Sequence, residues 1–171
     1  MKADGNIFLI GLMGAGKTTL GRQLSQLLAR PFYDSDQLIC SRTGVSIPTI
    51  FELEGEEGFR LREAAVIDEL TALSGIILAT GGGAVLREEN RRHLNARGRV
   101  VYLHVSPSVL LARTRCDKNR PLLQVPNPLE KLQELYEARD ALYRQTAHLV
   151  VEAGGGNCQK TAAAILQMLQ D

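Results

Sequence analysis

The stretch Gly11-Leu12-Met13-Gly14-Ala15-Gly16-Lys17-Thr18 decides how the rest of the chain is read. It fits G-x-x-x-x-G-K-[ST], a glycine-rich loop whose backbone N–H groups wrap a run of phosphates. Its setting is right as well. An apolar run at residues 7–10 precedes it, and Leu20, Leu24, Leu27 and Leu28 follow at helical spacing. The helix that starts there points its positive end at the bound anion. Gly11, Gly14, Ala15, Gly16, Lys17, Thr18 and Thr19 are therefore expected to bind nucleotide. Lys17 would reach the β- and γ-phosphates, and the Thr18 hydroxyl would ligate Mg²⁺. ATP or GTP binding follows from the loop; the reaction does not.

On either side of this loop the same alternation continues to the ends of the chain. Short apolar runs at residues 7–10, 76–79, 100–105 and 149–151, with a weaker one at 32–33, are separated by segments of helical period at 18–28, 59–73, 129–143 and 160–169. Runs this short read as strands buried on both faces. Strand and helix in repeated alternation imply an α/β layer fold with a mostly parallel sheet. At 171 residues, 44% hydrophobic and 23% charged, the chain has the size and make-up of a single globular domain spanning 1–171. The segment 112–126 is polar and basic and is closed by Pro121 and Pro126. It reads as a mobile lid.

A formal net charge of +1, no Trp and 5% aromatic residues argue against a nucleic-acid binder, which carries a basic face and rings to stack on bases. Cys40, Cys116 and Cys158 show neither metal-ligand spacing nor a disulfide framework, as suits free thiols in a reducing cytoplasm. The run at 7–10 is too short for a signal-peptide core or a membrane span. The expectation is a cytoplasmic monomer that meets small molecules and neither membrane nor nucleic acid.

Several polar residues sit where a packed fold would not put them without reason. Asp34 and Asp36 follow the weak run at 32–33; if that strand continues, both face one side at its carboxyl end, where parallel sheets hold ligands. One acid could then serve Mg²⁺ and the other an acceptor hydroxyl. Arg139 lies within the apolar stripe formed by Leu132, Tyr136, Leu142 and Tyr143, and a buried arginine is expensive unless an anion meets it. Glu63 lies in the stripe of Phe59, Val66, Ile67 and Leu70, with Arg60 three residues earlier and able to pair with it. The run at 76–79 ends in Thr80-Gly81-Gly82-Gly83, which allows a ligand very close to backbone. In the basic segment, Arg120 directly before Pro121 is the candidate to close over phosphates in the transition state.

Taken in order, these residues resemble the shikimate kinase family over essentially the whole chain. The matching stretches are the phosphate loop, Asp34-Ser35-Asp36, Phe51-x-x-x-Gly55-Glu56-x-x-Phe59-Arg60-x-x-Glu63, Gly81-Gly82-Gly83, Arg120-Pro121-Leu122-Leu123 and Tyr136-x-x-Arg139-x-x-Leu142-Tyr143. The resemblance implies a nucleoside-monophosphate-kinase-like sheet of five parallel strands with helices on both sides. It also implies transfer of the ATP γ-phosphate to shikimate. Asp36 would contact the ring hydroxyls and act as base, Arg60 and Arg139 would clamp the carboxylate, and Gly82 would offer backbone contact. Asp34 and Thr18 would serve Mg²⁺, Arg120 would close from the lid and Arg113 would pack on the adenine side. His148 after Ala147, and the glycine-rich loop 152–157, depart from the family's usual residues. The rival readings are a gluconate-type or nucleoside-monophosphate kinase, and a nucleotide-dependent switch.

Overall fold

The computed structural model of the protein describes residues 5–114 and 123–170. Among them, β1 (Ile7–Ile10), β2 (Phe32–Asp34), β3 (Ile77–Ala79), β4 (Arg99–His104) and β5 (Leu149–Glu152) form one parallel sheet in the order β2-β3-β1-β4-β5. Every residue of β1 and β3 is buried. Successive side chains point to opposite faces, so both faces of the sheet centre are covered and these strands read as continuous apolar runs. The edge strands β2 and β5 are only partly covered. That is why residues 32–33 give a weak signal.

The connecting helices are α1 (Lys17–Leu28), α2 (Ser35–Thr43), α3 (Ile47–Thr71), α4 (Glu88–Arg97), α5 (Pro107–Thr114), α6 (Pro128–Thr146) and α7 (Cys158–Gln170). α1 packs on α7, while α3, α4, α6 and α5 pack in succession. The apolar period predicts α1, α6, α7 and the second part of α3; it gives no helix at α5, whose last residues 112–114 fall in the polar segment read as a lid, nor at α2 or α4. Those two bury only Ser35 and Ile39, and Asn90 and Leu94, respectively, too little for a 3.6-residue stripe to show. α3 is broken at Gly55, whose φ of 74° and ψ of 175° lie outside helix. No helix among the described residues is long and apolar enough to cross a membrane.

Register places the chemistry. Ile7, Phe8 and Leu9 pair with Ile77, Leu78 and Ala79, and Asp34 pairs with Ala79. The loops that leave β1, β2 and β3 therefore emerge together at the carboxyl edge of the sheet. Thr80 ties this edge down, since its N–H and its hydroxyl both donate to the Leu9 carbonyl, at 3.2 and 2.9 Å.

Candidate active site

The loop between β1 and α1 has the backbone its glycines foretell. Gly14 and Gly16 stand at φ 83° and 99°, a region that side-chain-bearing residues rarely adopt. Gly16 forms the N-cap of α1 with no side-chain bond to the helix end, so the first N–H groups face the cleft and not a capping oxygen. Lys17 is buried, and its ammonium donates to the Gly11 carbonyl and, at 3.0 Å, to that of Leu12. Arg113, near the end of α5, donates to the Gly14 and Ala15 carbonyls at 3.3 and 3.1 Å and to Ala153 at 3.0 Å. It thus joins the phosphate loop to the loop after β5. Residues 13–19 and Arg113 are brought together on one cleft of about 1110 Å³, which Gly156 and Asn157 also line; Gly11 lies behind that lining, its carbonyl accepting from Lys17.

The acids after β2 come together by a different route from strand alternation. The strand ends at Asp34, which is the N-cap of α2; its Oδ1 accepts from Gln37 N–H at 3.1 Å. Asp36 lies in the first helical turn. A cap satisfies one of the orphan donors at a helix start, and that preference stopped the strand where alternation would have continued it. The other Asp34 oxygen, Oδ2, accepts from the Thr18 hydroxyl at 2.6 Å. One hydroxyl and one carboxylate suit Mg²⁺, which keeps its waters and takes most remaining ligands from substrate phosphates. Among the described residues no cluster of three or more His, Cys, Asp or Glu could cage a metal by itself.

Opposite the phosphate loop, the acceptor candidates converge on the turn after β3. Arg60 and Glu63 are both buried, and Arg60 Nη1 donates to Glu63 Oε1 at 3.0 Å. The Arg60 guanidinium also lies 5.2 Å above the Phe59 ring. Glu63 Oε2 is buried without a hydrogen-bond partner among the described residues. Burial pushes the Glu63 carboxyl up to about 7; Arg60 pulls it down and Asp36 pushes it up again. Arg139 is 4% exposed, so its stem does not carry the charge to water, and its Nη1 is likewise buried with no partner among the described residues. The Leu132, Leu135, Arg139, Tyr143, Thr146 stripe of α6 places it there, with Asn127 capping the helix through Glu130 N–H.

The three glycines make room for these charges. A methyl group on Gly81 would stand 2.7 Å from Asp36 Oδ1 and 2.8 Å from Glu63 Oε2. One on Gly82 would be 3.4 Å from Met13 N and 3.6 Å from Arg139 Nη1, and one on Gly83 would collide with the Arg60 guanidinium. None of the three needs a left-handed backbone. Their smallness lets two arginines and two carboxylates close on one turn that itself abuts the phosphate loop.

Two residues escaped the reading of the sequence. Ser35, fully buried between the two acids, accepts from Gly81 N–H at 3.2 Å; a serine flanked by two candidate acids was the available signal. The Tyr143 hydroxyl donates to the Gly82 carbonyl, though periodicity marks Tyr143 only as core. His148 has a structural place at the opposite edge of the sheet: its Nδ1 accepts from Val100 N–H at 2.9 Å, and burial lowers its pKa. Arg120 and most of the segment 112–126 lie outside the described residues, but Arg113 and Thr114 are helical.

A family model described as shikimate kinase matches residues 13–170. The chain is 59% identical over 166 residues to the shikimate kinase of Neisseria meningitidis serogroup C, covering 97% of this chain and 96% of that one. It is 60% identical over 164 residues to the shikimate kinase of Dechloromonas aromatica, covering 96% and 87%. In three dimensions it matches the shikimate kinase from Acinetobacter baumannii in complex with shikimate, with a TM-score of 0.96 and 52% identity over 98% of this chain and 94% of that one. Matched by that family model over nearly its whole length and by relatives almost end to end, the chain belongs to the shikimate kinase family.

Proposed function

We propose that the protein transfers the γ-phosphate of ATP to the 3-hydroxyl of shikimate, giving ADP and shikimate 3-phosphate. The observation that carries this reading is Arg139: a buried guanidinium with a nitrogen that has no partner among the described residues, set beside the Gly81-Gly82-Gly83 turn at the edge of the phosphate cleft. A charge left so is costly, and a substrate carboxylate received between Arg139 and Arg60 removes that cost with charge-assisted hydrogen bonds. A neutral sugar would bring no anion to the Arg139 nitrogen, whereas Arg60 already has Glu63. Glu63 holds the Arg60 fork in place, and Gly81 and Gly82 let the acceptor ring lie against backbone.

In the transfer, the acceptor hydroxyl attacks the γ-phosphorus in line. The new O–P bond forms as the bond to the β-phosphate oxygen breaks, ADP departs with that electron pair, and the hydroxyl proton is released. Asp36 aligns the attacking hydroxyl and takes its proton. Lys17 neutralises the β- and γ-phosphates and the loop N–H groups cradle them. Thr18 and Asp34 would hold Mg²⁺, which would supply positive charge beside the phosphates. Arg120, which lies outside the described residues, is assigned from the sequence alone to add charge at the phosphates. We further infer a single-domain, cytoplasmic monomer.

The test is coupled ADP production with MgATP in the presence of shikimate, gluconate, AMP or no acceptor. Strong stimulation by shikimate alone, lost when Mg²⁺ is omitted, is expected. Slow turnover indifferent to every acceptor would sink the acceptor assignment and favour a nucleotide-dependent switch.

A further inference from the structure

The arginine and the glycine turn that meet in this pocket come from distant parts of the chain, and one buried hydroxyl joins them. Tyr143 is fully buried, and its hydroxyl donates to the Gly82 carbonyl. It lies four residues after Arg139 on the same buried stripe of α6, a spacing that stacks the two side chains on one face. Tyr102 backs the ring, with centroids 4.8 Å apart, and its own hydroxyl turns away to Asp140 Oδ1 at 2.8 Å. Packing alone does not call for a tyrosine at 143. A phenylalanine would fill the same space, whereas a buried hydroxyl must find a partner.

The partner it finds is the element least able to hold its own shape. Three glycines in a row have no side chains to fix their backbone. Ser35 Oγ holds one end, by accepting from Gly81 N–H; Tyr143 holds the middle. Because the peptide group is planar, pinning the Gly82 carbonyl also fixes the direction of Gly83 N–H.

We propose that Tyr143 is a positioning residue for the acceptor, locking the Gly82 peptide against α6 so that the glycine turn and the Arg139 guanidinium meet the acceptor carboxylate in one fixed geometry. This rests on the acceptor assignment above. Tyr143→Phe removes one oxygen and leaves the ring. The expected result is a KM for shikimate raised roughly tenfold, with the KM for ATP unchanged and kcat at saturating shikimate within about threefold of wild type. Tyr102→Phe is the control, because it deletes a buried hydroxyl that does not touch the turn; both its KM values should stay at wild type.

A hydroxyl of structural value only would lower Tm without separating the two KM values. An unchanged shikimate KM in Tyr143→Phe would overturn the proposal. So would an equal rise for both substrates, or a failure to fold where Tyr102→Phe folds. Wild-type enzyme without shikimate-dependent ADP release would take down the acceptor assignment and this inference with it. An active wild type with a dissenting variant takes down this inference alone.

Discussion

Replacing Gly81 by alanine tests the idea that the glycine turn exists to let charges approach. The backbone at Gly81 is open to any residue, because its φ is not in the left-handed region. Whatever the substitution does, it does through the added methyl. That carbon would sit 2.7 Å from Asp36 Oδ1 and 2.8 Å from Glu63 Oε2, where ordinary contact begins at 3.4 Å. The carboxylates must therefore retreat by roughly half an ångström or more. Glu63 cannot swing to solvent, being buried and bonded to Arg60, so Asp36 takes much of the displacement. A reacting group misplaced by about 1 Å loses on the order of 10²-fold in rate, and kcat should fall roughly tenfold to a hundredfold. Overpacking of this kind costs about 1–3 kcal/mol of stability.

The assay is steady-state ADP release at saturating ATP and shikimate, with Tm measured beside it. Gly82→Ala is the internal comparison, since its methyl meets nothing closer than 3.4 Å. Its kcat should stay within a few-fold of wild type, any loss falling on the KM for shikimate, whose ring lies against that backbone. Gly81→Ala with kcat within about twofold of wild type, or equal losses in the two variants, would refute the reasoning from distances.

Two further outcomes follow from single side chains. Lys17→Met should reduce ADP production by about 10³-fold or more, because the loose transition state depends on charge placed at the phosphates. Shikimate should still raise the Tm of that variant, and loss of this thermal shift would mean that Lys17 shapes the acceptor side too. Glu63 sets a pH dependence of stability. Burial raises its carboxyl from 4.5 to about 7 in the folded protein, so between those values the folded state holds a proton that the unfolded chain has released. Stability from this group is therefore lost as pH rises through that window, by on the order of 3 kcal/mol. Glu63→Gln removes the titration, so its Tm relative to wild type should climb by roughly 6–12 °C from about pH 5 to about pH 8. A difference that stays flat with pH would refute the assignment.

Much of this protein is written locally. The phosphate loop is legible because its function requires a backbone that only glycine adopts readily, and because Lys17 and Thr18 act at fixed spacing within one turn. The central strands are legible because burial on both faces forces unbroken apolar runs, as at 7–10 and 100–103. Arg139 and Glu63 stand out for a related reason: a charge within an apolar stripe is a local anomaly that needs a partner. Elements with little buried surface, such as α2 and α4, leave no periodic trace.

What the sequence could not decide is which distant groups meet. It left Asp34 and Asp36 on a continuing strand, and the helix that Asp34 caps turned them instead into a cap and a first-turn residue. It offered Gly81-Gly82-Gly83 as a place for a ligand near backbone. The tertiary structure shows Gly81 making room for Asp36 and Glu63 and Gly83 for Arg60, with Arg139 beside Gly82 and with Ser35 and Tyr143 holding the turn from α2 and α6. Residues 35 and 143 share no local pattern with the turn, and only the parallel register of β1, β2 and β3, with α6 laid beside them, puts them within hydrogen-bond reach of Gly81 and Gly82. The chain by itself determined its strands, its phosphate loop and its misplaced charges, because each depends on neighbours a few residues away. The pocket depends on contacts between segments 46 and 61 residues apart, whose geometry exists only once the sheet has closed.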